Sequence, residues 1–156
     1  MKTKNHLILH NIRSEYNVGA IFRTADAVGI HTIFLTGYTP APIDRFGREV
    51  GSISKTALGA EKTVKWKKGD IVEVINKLQN INTTIVAVEQ AENSVDYKNF
   101  TPTKDTAFIL GDEVHGIEDT ILKQTDTIIE IPMKGTKESL NVSVTAGVVL
   151  YRVLNI

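Results

Sequence analysis

At 156 residues, with 42% hydrophobic and 23% charged residues, the chain is long enough for one domain with its own core. It contains no cysteine, which excludes disulfides and thiolate metal sites. The apolar run at residues 7–9 is too short for a signal peptide, and no stretch reaches membrane-spanning length. These features predict a single domain over residues 1–156 and a cytoplasmic protein without a membrane partner.

Charge is unevenly distributed along the chain, although the formal net charge is zero. Residues 1–70 carry 11 Lys or Arg and 6 Asp or Glu, a net charge of +5, whereas residues 71–156 carry 7 and 12, a net charge of −5. A basic surface that faces RNA in the N-terminal half is compatible with this asymmetry. Surface charge also clusters without function, and from charge alone that interpretation is the stronger one.

Short apolar runs rich in β-branched residues alternate with helical periodicity. In chain order we predict a strand at 6–10, a helix at 18–28, a strand at 32–35, a helix at 53–58, a strand at 63–66, a helix at 71–79, strands at 84–88 and 107–110, a short turn near 117–123, a strand at 127–131 and a helix at 140–154. Asn17 and Asp70 are predicted caps of the first and third helices, and Ser139 precedes the last. The alternation predicts an α/β fold, with a mostly parallel sheet and helices on both faces.

The first of three polar segments follows the strand at 6–10. Because ligands bind beside the carboxyl ends of strands in open α/β sheets, this placement indicates a site. Asn17 and Gly19 form the predicted strand-to-helix transition, and Arg23 lies further along a helix with little polar surface. A cation there needs a carboxylate or a phosphate. From the sequence, an ion pair with a structural role and a contact with a phosphate are equally good interpretations of Arg23.

The second segment follows the strand at 107–110, and two glycines, Gly111 and Gly116, bracket acidic residues and a histidine. Gly111 allows a ligand to approach the backbone closely. The spacing matches neither a dinucleotide fingerprint nor a phosphate-binding loop. Glu113 is suited to hold an arginine or a substrate hydroxyl. His115 is a candidate general base, although a surface turn residue is the stronger interpretation.

The third segment follows the strand at 127–131 and leads into the last helix. Ser139, Asn141 and Ser143 supply neutral hydrogen-bonding groups at a helix start, where backbone N–H groups are free. An N-cap role explains Ser139, but not Asn141 and Ser143 inside an apolar helix. With no metal-ligand constellation and no Ser-His-Asp arrangement, the residues alone predict a polar site built from three strand ends.

Together, the three segments resemble the signature motifs of the SpoU-like RNA ribose 2'-O-methyltransferases of the SPOUT superfamily. The matching residues are Asn17-x-Gly19-x-x-x-Arg23-Thr-Ala25, Leu110-Gly111-x-Glu113-x-x-Gly116, and Ile131-Pro-Met-x-Gly135 followed by Ser139-Leu-Asn141-Val-Ser143. Residues 55–60 also resemble a segment that these proteins carry between the first two motifs. Each motif is weak alone, but their order and spacing over residues 11–150 make the set specific.

The resemblance implies a C-terminal trefoil knot and a homodimer formed through the first and last helices. It implies S-adenosylmethionine as the cofactor and no metal. The cofactor-binding residues that it implies are Val88, Glu89, Leu110, Gly111, Ile131, Met133, Ser139 and Leu140.

The resemblance further implies methyl transfer to a ribose 2'-hydroxyl, with Arg23 as the catalytic residue. Asn17, Glu113, Ser139 and Asn141 match the residues that support it. The family proposal makes the arginine the general base, whereas a free guanidinium has a pKa above about 12 and stays charged. The conservative alternative is that Arg23 orients the ribose and phosphate and stabilises the developing alkoxide.

The length leaves no room for the separate RNA-binding extension of many relatives, so we expect RNA contacts within this domain. The candidates for phosphate contacts are Arg13, Arg45, Arg48 and Lys55, and beyond them Lys62, Lys65, Lys67 and Lys68. We favour tRNA over rRNA as the substrate. Two alternatives stay open: a knotted methyltransferase that acts on a base nitrogen, and a non-catalytic RNA-binding or assembly protein. The intact polar residues of the three motifs argue against both.

Overall fold

The structure, a computed structural model, describes residues 2–156, in which seven strands and six α-helices are found. The strands are β1 (Asn5–His10), β2 (Thr32–Thr36), β3 (Lys65–Gly69), β4 (Thr84–Val88), β5 (Val95–Asp96), β6 (Thr106–Leu110) and β7 (Thr127–Glu130). The helices are α1 (Glu15–Val28), α2 (Gly51–Ala57), α3 (Ala60–Thr63), α4 (Ile71–Asn80), α5 (Asp119–Leu122) and α6 (Val142–Val153). A 3₁₀ turn, Tyr97–Asn99, follows β5.

The seven strands form one sheet in the order β3-β2-β1-β6-β4-β7-β5, and every pairing is parallel. This confirms the predicted α/β fold with a parallel sheet. The third strand begins at Lys65 rather than at residue 63, because the short helix α3 occupies the chain as far as Thr63. The sequence does not predict β5, since two residues carry no periodicity.

Two apolar clusters cover the two faces of the sheet, which confirms that helices lie on both sides. On one face, α1, α2 and α6 pack on alternate strand residues such as Leu7 and Phe108. On the other face, α4 and α5 pack on the strand residues that lie next in sequence to the first set, such as Ile8 and Ile109. The alternation follows from the period of two in a strand, because both faces of a parallel sheet are buried.

The helix starts differ from the predicted ones at two of three positions. Asp70 caps α4 as predicted, and its side chain accepts hydrogen bonds from two backbone N–H groups. The cap of α1 is Ser14 rather than Asn17, which lies inside the helix. The cap of α6 is Asn141 rather than Ser139, and its Oδ1 accepts from the N–H of Ser143 at 2.9 Å. Capping therefore explains the polar Asn141, which would be unfavourable inside an apolar helix.

The C-terminal part of the chain has little regular structure between β7 and α6. Helix α6 then packs against α1 and the 3₁₀ turn. The trefoil knot, which would involve this part of the chain, stays a prediction. Within residues 2–156, no helix has the length and apolar character needed to cross a membrane.

His6 introduces a pH-dependent weakness into the core of β1. Its ring is 6% exposed and lies 5.3 Å from the ring of His31. Burial, followed by the charge of His31, lowers the pKa of His6 to about 4. Between pH 6.5 and 4 the unfolded chain binds a proton at this position and the folded chain does not, so stability falls as the pH falls through this window.

Because of His6, we expect the free energy of unfolding to fall by about 2 kcal/mol between pH 7.5 and pH 5. Thermal unfolding of the wild type and of His6→Phe over this range measures the effect, because phenylalanine fills the site without titrating. The melting temperature of the variant should fall less on acidification. Ile81→Ala, at a residue that is 64% exposed and does not titrate, is the control and should keep the wild-type slope. Equal slopes for the wild type and His6→Phe would contradict the prediction.

Candidate active site at the carboxyl edge of the sheet

The three polar segments meet at one edge of the sheet, as their positions after strands predict. They follow β1, β6 and β7, and the carboxyl ends of parallel strands lie at the same edge. Asn17 donates from Nδ2 to Oε1 of Glu113 at 3.2 Å. Asn141 donates from Nδ2 to Oδ1 of Asn17 at 3.3 Å. One residue from each segment therefore takes part in a continuous hydrogen-bonded chain.

Asn17 is the centre of this chain because the helix begins one turn earlier than predicted. Ser14 accepts from the N–H of Asn17 at 3.2 Å and thereby caps α1. The side-chain amide of Asn17 is consequently not used for capping and is available to both Glu113 and Asn141. On the α6 side, Ser143 donates from Oγ to Oδ1 of Asn141 at 2.6 Å, which fixes the amide orientation.

Arg23 lies two turns beyond the start of α1 on the exposed face of the helix. Within residues 2–156 it makes no ion pair, so the alternative of a structural partner carboxylate has no support. Arg23 lines a groove between the start of α6 and the end of α2. The groove is lined by Ala20, Arg23, Thr24, Lys55, Thr56, Leu58, Ser143 and Val144. Its two charged residues are basic, and this suits a phosphate.

A second cavity, of about 340 Å³, opens beside the hydrogen-bonded chain. All eight residues predicted to bind the cofactor line it, together with ten others: Gln90, Asp112, Glu113, Val114, His115, Gly116, Glu130, Glu138, Val142 and Thr145. Five of the lining residues are Asp or Glu and none is Lys or Arg. The cavity is therefore suited to a cationic ligand with an apolar part.

The Glu89 carboxylate supports one wall of this cavity through hydrogen bonds to backbone N–H groups. Its Oε2 accepts from the N–H of Ile117 at 3.0 Å, and its Oε1 accepts from the N–H of Gln90 at 2.9 Å. Gly116 has φ +68°, and a Cβ at this position would lie 2.3 Å from Glu89 Oε2. A glycine is required here by both the backbone conformation and the contact.

Asp112 and Tyr38 stabilise the segment that follows β6, and neither residue is predicted from the sequence to do so. The Tyr38 hydroxyl donates to Asp112, whose Oδ1 accepts from the N–H groups of Val114 and His115 at 2.6 and 3.0 Å. Burial raises the pKa of the Asp112 carboxyl, but these hydrogen bonds outweigh burial and lower the pKa to about 2. Asp112 is therefore ionised at neutral pH and orders the segment that carries Glu113.

His115 and Ser139 make fewer contacts in the candidate site than their positions in the motifs predict. The His115 side chain is 77% exposed, in agreement with the surface-turn interpretation, although it also lines the cavity. Ser139 is exposed and does not cap α6. Within residues 2–156 no cluster of His, Asp or Glu able to hold a metal ion is present.

The predicted RNA-binding residues fall into two groups. Lys55 lies in the groove with Arg23. Arg13, Arg45 and Arg48 lie on the loops that follow β1 and β2, at the same edge of the sheet. The guanidinium carbon of Arg13 lies 5.7 Å from the centre of the Tyr38 ring, a cation–π distance. These exposed cations are not in contact with the acidic cavity.

The comparisons with known proteins agree with this geometry. The SpoU rRNA Methylase family matches residues 4–151. The chain is 34% identical to the 23S rRNA (guanosine-2'-O-)-methyltransferase RlmB of Neisseria meningitidis, over 92% of this chain and 55% of that protein. It is 33% identical to the tRNA (guanosine(18)-2'-O)-methyltransferase of Thermus thermophilus, over 93% of this chain and 71% of that protein.

A crystal structure of an AdoMet-bound rRNA methyltransferase from Sinorhizobium meliloti shares the fold, with a TM-score of 0.85 at 25% identity. The match covers 98% of this chain and 56% of that one. The chain thus spans between about half and three quarters of the length of these three proteins. The sequence match over nearly the whole chain, and the common fold, show that this chain belongs to the SpoU methylase family.

Proposed function

We propose that this protein transfers a methyl group from S-adenosylmethionine to a ribose 2'-hydroxyl of RNA, in the cytoplasm, with tRNA rather than rRNA as the substrate. One observation carries the proposal: an acidic cavity and a basic groove adjoin at the amino end of α6. Val142 lines the cavity, while Ser143 and Val144 line the groove. A cationic methyl donor and an anionic acceptor would thus meet at one point. The named activities of the relatives, one on rRNA and one on tRNA, support methyl transfer to an RNA ribose.

The cavity fits S-adenosylmethionine in size and in charge. Its volume is within the range of sites for small ligands, about 300–1,000 Å³. Leu110, Ile131, Met133 and Leu140 give it an apolar part for a base ring. Its carboxylates complement a sulfonium and an ammonium group. The resemblance assigns the cofactor to the eight residues predicted at these strand ends, and their common position around one cavity supports this assignment.

The groove fits the acceptor strand of RNA. Arg23 and Lys55 supply positive charge to it, and no carboxylate is among the lining residues. We propose that Arg23 binds the phosphate next to the reacting nucleotide and orients its ribose. A planar guanidinium suits this task because it donates two parallel hydrogen bonds to a phosphate.

The residues of the site would align the two reactants and stabilise charge. S-adenosylmethionine, if held by the cavity residues, would supply an activated methyl group on a sulfonium, to be transferred to the 2'-oxygen. Arg23 would stabilise the negative charge that develops on that oxygen as its proton passes to solvent water. Asn17, held by Glu113 and Asn141, links the cavity wall to the groove and fixes their separation. Such alignment is the main requirement of an in-line displacement.

We further propose that the protein is a homodimer. Val144, Val148 and Tyr151 are 49%, 37% and 43% exposed and follow one another at helical spacing on α6. An exposed apolar stripe of this kind is typical of an interface. Because Val144 also lines the Arg23 groove, a second copy on this stripe would lie beside the RNA site.

Methyl transfer in vitro tests the proposed function. The purified protein is incubated with methyl-labelled S-adenosylmethionine and with RNA, and the RNA is digested to nucleosides and separated by mass. We expect the label on the ribose of a nucleoside. Label on a base would indicate the base-nitrogen alternative, and cofactor binding by calorimetry without label in any RNA would favour a non-catalytic protein.

A further inference from the structure

The long loop between β2 and α2 carries an exposed aromatic side chain at its tip. Phe46 is 66% exposed, although a phenylalanine normally lies in the core. The loop leaves the carboxyl end of β2, at the edge of the sheet where the candidate active site lies. Five residues after Phe46, the chain enters α2, which contributes Lys55 to the Arg23 groove. Burial in the core therefore does not account for this residue.

The loop tip is held in one conformation by Asp44. The Asp44 carboxylate accepts from the N–H of Phe46 at 2.8 Å and from the N–H of Arg48 at 3.0 Å. Gly47, with φ +77°, donates its N–H to the Asp44 carbonyl at 3.0 Å and closes the turn. The ring of Phe46 is thus displayed on a rigid support, and little conformational entropy is lost when a ligand contacts it.

Two guanidinium groups flank the ring. Their carbons, in Arg45 and Arg48, lie 4.8 and 4.9 Å from the ring centre. Arg48 donates from Nε to Asp44 at 3.0 Å, whereas Arg45 makes no ion pair within residues 2–156. The tip therefore combines an aromatic ring, two planar cations and a net positive charge. Proteins use this combination to bind unpaired nucleotides, which stack on the planes while the cations contact the phosphates.

We propose that Arg45, Phe46 and Arg48 form a stacking platform for an unpaired nucleobase of the substrate RNA. The proposal rests on RNA as the substrate and adds a preference for a single-stranded segment next to the methylated nucleotide. The platform selects the RNA and takes no part in the chemistry, because none of its residues lines the cavity or the Arg23 groove.

Binding of a fluorescent single-stranded oligoribonucleotide of about ten nucleotides tests the platform. We expect Phe46→Ala to raise the Kd about 5- to 100-fold and Phe46→Trp to retain wild-type binding, because tryptophan also stacks. With saturating RNA, kcat and the Kd of S-adenosylmethionine should not change in Phe46→Ala. Ile81→Ala, at a residue that is 64% exposed beyond α4, is the matched control and should bind as the wild type does.

An unchanged Kd in Phe46→Ala, or an equal loss for a fully paired duplex, would overturn the platform. A fall in melting temperature together with weaker cofactor binding would also overturn it, since Phe46 would then only stabilise the loop. Failure of the proposed methyl transfer gives a different result. In that case the wild type would leave RNA unmethylated, whatever the dependence of binding on Phe46.

Discussion

Arg23→Lys is expected to reduce kcat for methyl transfer by about 100-fold or more while leaving the Kd of S-adenosylmethionine unchanged. Lysine keeps the positive charge but loses the planar fork, which orients a phosphate and stabilises a developing oxyanion. Arg23 lies in the groove and does not line the cavity, so cofactor binding should be independent of it. Turnover at saturating RNA and cofactor, with calorimetry for the cofactor, separates the two effects.

Arg152→Lys is the matched control for this experiment. Arg152 is also exposed on a helix, and its guanidinium donates a hydrogen bond to the carbonyl oxygen of Lys98 at 3.3 Å. Its replacement should leave turnover near the wild-type level. Near-normal turnover in Arg23→Lys would contradict the assignment of Arg23, whether as general base or as stabilising group.

Gly19→Ala is expected to lower the free energy of unfolding by about 2 kcal/mol or more. Gly19 lies where α1 and α2 approach each other closely. A Cβ there would lie 2.0 Å from Thr56 Oγ1 and 2.3 Å from the carbonyl oxygen of Ile53. The second contact is with backbone, so the helices must separate, and overpacking of this kind outweighs the gain in helix propensity.

Thermal unfolding measures this effect, as a fall in melting temperature of about 4–8 °C or more for a chain of this size. Gly51→Ala is the control, because no atom lies within 4 Å of a Cβ at that position and its backbone is not left-handed. We expect this variant to be as stable as the wild type or slightly more stable. Equal melting temperatures for the two variants would show that α1 and α2 do not approach so closely.

Gly19 belongs to a motif that the sequence identifies correctly, but the structural role predicted for this glycine is wrong. The pattern of Asn17, Gly19 and Arg23 identifies the segment, but the sequence interpretation placed the glycine at a strand-to-helix transition. It lies inside α1 and is required by a neighbour 37 residues away. Periodicity within one segment contains no information about such a contact.

The same limit explains which site residues the sequence misses. Residues that follow strands are predictable because parallel topology brings strand ends together. The eight cofactor residues come from the family resemblance instead, and they line one cavity at this edge. Tyr38 and Asp112 are separated by 74 residues, and Glu89 and Ile117 by 28. Nothing in their local sequence indicates either pairing. The preceding Gly37, with φ +62°, marks a turn but does not identify the partner of Tyr38.

Mapping 2'-O-methylated nucleotides in RNA from cells with and without the gene tests the central claim most directly. We expect at least one ribose methylation to disappear without the gene. The wild-type protein should restore it, and Arg23→Lys should not. An unchanged map of ribose methylation, or the loss of a methyl group from a base instead, would contradict the proposed reaction.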